Sequence, residues 1–225
     1  MTSSVAAIRG SSKTAGDRPL TEDDWSDPDD LDLTPYSRSK TIAEQAAWAL
    51  VRERGEEDRL AVVNPGAIVG PVLNDDLSYS LQAVQRLLGG TPGVPRLGFS
   101  LVDVRDVADL EIVAMTSPKA GGERFIAATQ FLWMAEIGGV LRERLGEAAS
   151  KVPTRTVPNL LVRGMAVFDP GIRSVVGGLG IRTELSSEKA RDTLGWAPRP
   201  IEDTIAETGE SLIRHGVAAT SAVAQ

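Results

Sequence analysis

The chain has 225 residues, of which 42% are apolar and 24% are charged, a composition typical of one large folded domain or slightly more. A net charge of −7 gives no electrostatic support to nucleic-acid binding, and no apolar run reaches the roughly 18 residues of a membrane span. The absence of cysteine excludes disulfides and thiol chemistry, and a single histidine, His215, argues against a metal site and a catalytic triad. These features predict a cytoplasmic, enzyme-like protein that binds no nucleic acid, membrane or metal.

The N-terminal residues predict the end of a buried strand over residues 4–8, followed by a long polar loop over residues 9–34. The loop carries an acidic cluster around Trp25, between Glu22 and Asp30. Such a cluster suits either a cation site or a solvated loop. It lacks the alternating Asp/Asn and Gly order of a calcium loop, so we favour the solvated loop.

A helix is predicted from Pro35 to Arg54, because Pro35 suits a first turn, Thr34 can cap the N-terminus and Gly55 can end the helix. Its predicted buried stripe consists of Tyr36, Lys40, Ala43, Ala47 and Leu50.

Tyr36 and Lys40 are four residues apart, which places them on one face of this helix. A phenol beside an ammonium is a candidate general acid or base, since the positive charge favours the phenolate. A Tyr at a helix start is also often simply half-buried core, so the pair alone is weak evidence and the rest of the chain has to decide.

A short apolar run at residues 60–63 predicts a buried strand, which ends in a Pro/Gly turn over residues 64–71. Helix, strand and turn in this order indicate a parallel sheet, in which ligands bind beyond the carboxyl ends of the strands. The turn is either part of that crevice or an ordinary loop. The first interpretation is favoured because this turn and Tyr36 would face the same crevice.

Other elements follow from periodicity and capping residues. Asp103 and Ser187 are predicted helix caps, and His215 is predicted to be structural at a helix end. We predict helices at residues 77–88, 104–115, 132–145, 158–168, 188–194 and 201–215, and strands at residues 123–128 and 181–185.

The order of these pieces resembles the extended short-chain dehydrogenase/reductases, also called the NAD-dependent epimerase/dehydratase family. The resemblance is carried by Thr2-Ser3-Ser4, Tyr36-Ser37-Arg38-Ser39-Lys40, Asn64-Pro65 with Gly70-Pro71, and the stretches at residues 102–109 and 194–198. It is closest to the dihydroflavonol-reductase-like and aldehyde-reductase branch. It implies an α/β fold: the C-terminal part of a doubly wound Rossmann-type parallel sheet (residues 1–150), a small, mostly helical cap for substrate (151–200), and a last helix with a frayed tail (201–225).

The resemblance also implies site roles. Tyr36 would donate a proton to a carbonyl oxygen, or accept one in the reverse reaction, and Lys40 would bind the nicotinamide ribose and favour the Tyr36 phenolate. Ser4 would hydrogen-bond the reacting oxygen. Residues expected to line the nicotinamide are Pro65, Gly66 and Ile68, with Asn64 beside the substrate.

The implied activity is hydride transfer between NAD or NADP and a small carbonyl compound, such as an aldehyde, ketone or flavanone-like molecule, by a possible homodimer. The family's Gly-x-x-Gly-x-x-Gly turn, which holds the pyrophosphate, is absent from the sequence. We therefore expect an N-terminally truncated chain that is inactive or nearly so alone. Alternatives are a nucleotide-sugar epimerase or dehydratase, and a non-catalytic member of the same fold.

Overall fold

The computed structural model describes residues 1–11, 18–167 and 176–217. The chain divides into two compact units, each built from three separate segments. The first unit comprises Met1–Ala67, Ser100–Phe131 and Ile181–Pro198, and the second comprises Ile68–Phe99, Leu132–Gly180 and Arg199–Gln225. The sequence analysis instead expects three continuous parts, which end at residues 150, 200 and 225.

A parallel strand pair forms the centre of the first unit. Strand β1 (Val62–Pro65) pairs with β5 (Arg124–Ala127), and all eight residues are buried. On the other side of β1, the Ser3 N–H donates to the Val63 carbonyl, so the N-terminal segment extends the parallel arrangement through a bridge between Thr2 and Val63. This confirms the predicted α/β class with a buried parallel sheet.

The helices of the first unit are α1 (Pro35–Arg54), α3 (Val104–Thr116) and α6 (Glu188–Leu194), together with short 3-10 helices at Val5–Ala7 and Glu57–Arg59. The predicted bounds of α1 and α6 are confirmed. Helix α1 ends at Gly55, whose φ of 65° is the left-handed conformation that glycine adopts without strain. Asp103 caps α3 as predicted, accepting a hydrogen bond from the Arg105 N–H.

The second unit is mainly helical. It contains α2 (Tyr79–Gly89), α4 (Met134–Leu145), α5 (Asn159–Met165) and α7 (Ile201–Arg214), with a parallel strand pair β3 (Val94–Pro95) and β7 (Thr156–Val157). Helices α2, α4 and α7 pack against one another, which gives this unit its apolar core. The predicted helix at 158–168 ends earlier, at Met165, and its last residue lies outside the described residues, as does most of the tail predicted to fray.

A further sheet contains β2 (Ala67–Val69), β4 (Gly98–Asp103) and β6 (Gln130–Trp133), hydrogen-bonded in the order β2-β4-β6. In the described ranges, no helix combines the length and the apolar character needed to cross a bilayer.

Two local predictions are wrong. The strand predicted at 181–185 is reduced to a single bridge between Leu185 and Leu20, because most of this half-exposed segment has no neighbouring strand. Ser187 does not cap α6. Its hydroxyl donates to the Ala128 carbonyl instead, a partner 59 residues away in the sequence.

Candidate active site

The Tyr36–Lys40 pair lies on the first turns of α1. Pro35 occupies the first helical position, and Thr34 caps the helix by accepting a hydrogen bond from the Ser37 N–H. The Lys40 Nζ lies 6.0 Å from the centroid of the Tyr36 ring, so the two side chains share one face. Tyr36 is 58% exposed.

The buried face of α1 differs from the predicted stripe. Ser37, Thr41 and Glu44 are buried, whereas Tyr36 and Leu50 are exposed. This polar face can be buried because its polar groups are paired. Thr41 donates to the Ser37 carbonyl within α1, and Glu44 accepts hydrogen bonds from Asn64 and Arg124 on the strands. The prediction of a small-residue stripe beneath the Tyr–Lys pair is wrong.

Ser4 lies just beyond the N-terminal segment of the sheet. Residues 4–8 do not continue a strand as predicted. The Ser4 Oγ accepts a hydrogen bond from the Ala6 N–H at 3.1 Å and thereby caps the 3-10 helix Val5–Ala7. Helix α1 packs against this short helix, which brings the Ser4 segment and the Tyr36 helix into one neighbourhood.

The two adjacent serines have different surroundings. The Ser3 hydroxyl donates to the buried Glu44 carboxylate at 2.5 Å. The Ser4 Oγ serves as an acceptor, which leaves its hydrogen for donation to another oxygen. The role of Ser4 as a donor to a bound oxygen stays a prediction.

Asn64 is completely buried at the carboxyl half of β1. Its Nδ2 donates to the Ser4 carbonyl at 3.1 Å and to Glu44 Oε2 at 2.8 Å. The side chain that was predicted to lie beside the substrate is thus used inside the fold, where it links β1 to the Ser4 segment.

Glu44 is the centre of a buried polar network that the sequence analysis missed. One oxygen accepts from Ser3 and Asn64, and the other accepts from Arg124 Nε at 2.6 Å and from Trp48 Nε1 at 3.5 Å. The Glu44 side chain is 0% exposed and the Arg124 side chain 8% exposed, so this is an interior ion pair. Arg124 within the otherwise apolar strand β5 is the sequence signal that predicts a buried acidic partner.

The acidic loop closes over Arg124, so the prediction of a solvated loop is wrong at Glu22. Arg124 Nη1 donates to the Glu22 and Asp24 carbonyls, and its guanidinium lies 3.6 Å from the centroid of the Trp25 ring. The buried Glu22 carboxylate accepts from the Ile126 N–H at 2.8 Å. These contacts satisfy polar groups at the edge of β5.

The predicted nicotinamide-lining residues occupy the end of β1 and the start of β2. Pro65 is buried, and Gly66 and Ile68 are half-buried. The Gly66 N–H donates to the Ala127 carbonyl, so this donor is already used in a hydrogen bond between neighbouring strand ends. Ile68 lies on β2, and its carbonyl accepts from the Ser80 hydroxyl at 2.6 Å.

Arg9 adds a positive charge near Tyr36. Part of the residue is exposed, yet the surrounding protein removes water from the guanidinium and lowers the pKa of Arg9.

No family model matches the chain, but individual known proteins are similar to it. A cinnamoyl-CoA reductase of Medicago truncatula is 29% identical, over 94% of this chain and 59% of that protein. The NADPH-dependent methylglyoxal reductase of Saccharomyces cerevisiae is 28% identical, over 95% of this chain and 63% of that protein. The solved structure of the yeast methylglyoxal/isovaleraldehyde reductase with NADPH aligns with a TM-score of 0.75 and 25% identity, over 96% of this chain and 64% of that one.

The fold is that of the Rossmann-type α/β reductases, of which the described chain has the parallel strands and flanking helices. The relatives named above are reductases of the kind expected for the extended short-chain dehydrogenase/reductase family, and they fit its dihydroflavonol-reductase-like branch. The family resemblance seen in the sequence is confirmed. The chain spans 59% to 64% of the length of the relatives named above.

Proposed function

We propose that the chain carries the proton-transfer side of an NADPH-dependent carbonyl reductase. The observation that carries this proposal is the exposed Tyr36 with Lys40 Nζ 6.0 Å from its ring, on a helix that packs beside the Ser4 segment. The relatives support it, since their names describe reductases and one solved relative holds NADPH. Small carbonyl compounds are the proposed substrates.

The proposed chemistry follows from where charge develops. Reduction of a carbonyl leaves negative charge on its oxygen, and hydroxyl donors aimed at that oxygen stabilise the charge. In this proposal Tyr36 donates its proton to the oxygen and Ser4 donates a hydrogen bond. The Lys40 ammonium then stabilises the phenolate that Tyr36 leaves behind.

The cofactor supplies the hydride, which no side chain can provide. In this proposal Lys40 offers an ammonium for the ribose hydroxyls of the cofactor's nicotinamide end. Pro65 and Gly66 lie at the end of β1, next to Asn64, which donates to the Ser4 carbonyl. The sequence contains no Gly-x-x-Gly-x-x-Gly turn for the pyrophosphate. We therefore expect weak NADPH binding and slow turnover by this chain.

The test is NADPH oxidation at high protein and cofactor concentrations with methylglyoxal or an aromatic aldehyde as the carbonyl compound. Tyr36→Phe removes the proton donor and keeps the ring, so we expect a loss of about 10²- to 10⁴-fold in turnover. Tyr79→Phe is the matched control, because Tyr79 is the only other tyrosine and is 83% exposed on α2.

Equal rates for the two variants would overturn the role of Tyr36. Because the chain is expected to be nearly inactive alone, the proposed function is overturned if the unaltered chain neither oxidises NADPH with a carbonyl compound nor binds NADPH at these concentrations. The nucleotide-sugar epimerase alternative is supported by a solved relative only at the level of the fold, at 19% identity. A cytoplasmic location and a homodimer stay predictions.

A further inference from the structure

Glu44 contacts every segment of the first unit that carries a proposed site residue. It belongs to α1, which bears Tyr36 and Lys40, and it accepts hydrogen bonds from Ser3, next to Ser4, and from Asn64, next to Pro65. We propose that Glu44 is a positioning residue that fixes these three segments in register for proton transfer. This inference rests on the proposed function and assigns that site a residue that does not itself touch substrate.

The helix geometry makes Glu44 sensitive to any movement of α1. Lys40 precedes it by one helical turn and Tyr36 by about two, so the three residues move as one rigid body. A rotation or slide of α1 that moves the Tyr36 hydroxyl also breaks the bonds from Glu44 to Ser3 and Asn64. The buried carboxylate therefore restrains α1 against rotation about its axis and against sliding along the sheet.

Asn64 extends this restraint to the serine. Its Nδ2 donates to both the Ser4 carbonyl and Glu44 Oε2, at 3.1 Å and 2.8 Å. The backbone of Ser4 and the catalytic helix are thus linked through a single amide group. Because Asn64 is 0% exposed, solvent does not compete for these bonds.

Arg124 keeps the carboxylate in place. Its Nε donates to Glu44 at 2.6 Å, while its Nη1 is held by the Glu22 and Asp24 carbonyls and its plane stacks on Trp25. A guanidinium fixed on several sides gives the buried negative charge a partner that cannot turn away. The network therefore has the stiffness that a positioning role needs.

The first experiment measures hydrogen–deuterium exchange and needs no activity. Glu44→Gln replaces one acceptor oxygen by an NH₂ group, so the side chain cannot accept from both Arg124 and the Ser3–Asn64 side. We expect faster exchange in residues 4–8 and in the first two turns of α1, with α4 of the second unit unchanged. Trp48→Phe is the control, because it removes only the 3.5 Å contact to Glu44.

Two further variants keep this test decisive if Glu44→Gln does not fold. Ser3→Ala removes a single hydroxyl donor, and Asn64→Ala removes the amide that links Ser4 to Glu44. Both should raise exchange in the same two stretches. Exchange that is unchanged in these stretches, or raised equally in α4, would overturn the inference whether or not the chain reduces carbonyl compounds.

The second experiment measures turnover and separates positioning from simple stability. We expect Glu44→Gln to lower kcat per folded molecule by about 10- to 100-fold, since a misplacement of about 1 Å costs on that order, while KM for NADPH changes by less than about 3-fold. In a Tyr36→Phe background the same substitution should cause a smaller loss, because part of its effect acts through Tyr36. Additive losses would overturn the positioning role. If Tyr36→Phe turns over as fast as Tyr79→Phe while the exchange pattern is as expected, only the proposed function is overturned.

Discussion

At the scale of single residues, close packing alone requires glycine at position 66. A Cβ atom at this position would lie 2.3 Å from the Ser100 carbonyl oxygen, closer than any real contact. The Gly66 N–H also donates to the Ala127 carbonyl, so the backbone has little freedom to move away. Glycine is therefore required here by the neighbouring backbone, independently of any cofactor.

We expect Gly66→Ala to lower the free energy of unfolding by about 1–3 kcal/mol, the usual cost of overpacking a site that cannot relax. Gly139→Ala in α4 is the matched control, since a Cβ there meets nothing within 4 Å. That control should gain roughly 0.5–1 kcal/mol, as alanine favours a helix interior. Urea denaturation of both variants measures the difference, and equal stabilities would refute the close contact.

At the scale of elements, the ends of α1 follow from local chemistry. Thr34 Oγ1 accepts a hydrogen bond from the Ser37 N–H at 3.1 Å, which satisfies one of the unpaired donors of the first turn. Thr34→Ala should destabilise the protein by about 1 kcal/mol, whereas Thr34→Ser keeps the hydroxyl and should cost much less. Thermal unfolding of the pair tests this, and indistinguishable midpoints would mean that the cap contributes nothing.

The buried face of α1 could not be predicted in the same way. Capping depends on residues next to each other in the chain, and both ends of α1 were predicted correctly. The choice of face depends on Arg124, which lies 80 residues beyond Glu44 in the sequence. A pattern of small and apolar residues cannot reveal that a charged residue turns inward, because the partner that neutralises it belongs to another element.

The site shows the same limit. The Tyr36–Lys40 pair could be predicted because a four-residue spacing on one helix fixes its geometry. Ser4 was found through its motif, but its link to Asn64 is a contact across 60 residues. The resemblance placed Asn64 beside the substrate, but it could not show that its amide donates to Ser4 and Glu44 inside the fold.

At the scale of the whole molecule, the division into two units depends on long-range contacts. Each unit gathers three segments from distant parts of the chain, and composition changes along the sequence cannot show which segments meet. Resemblance to a family predicted the α/β class correctly. It did not predict which segments make up each unit.

The stability of the molecule should also depend on pH through Asp24. The Arg18 guanidinium bonds both oxygens of this carboxylate, at 2.6 and 2.8 Å, and the Thr21 N–H donates to it as well. The hydrogen bond from Arg18, followed by that from the Thr21 backbone, holds the pKa of Asp24 below its usual value. Because the Asp24 carbonyl also accepts from Arg124, this carboxylate helps to hold the loop over the buried ion pair.

The sign of the pH effect follows from that shift. A carboxyl group whose pKa is lower in the folded state stabilises the protein above its unfolded pKa of about 3.9, and this stabilisation is lost as pH falls through the folded pKa. Asp24→Asn should therefore be less stable than the unaltered chain at pH 7, by a modest amount because Arg18 is 62% exposed. The deficit should shrink below about pH 4 and at high salt. Asp29→Asn removes one exposed negative charge in the same way and serves as the control in denaturant titrations across pH. If the lower stability of Asp24→Asn persists unchanged into acid, the charge of Asp24 is not its source.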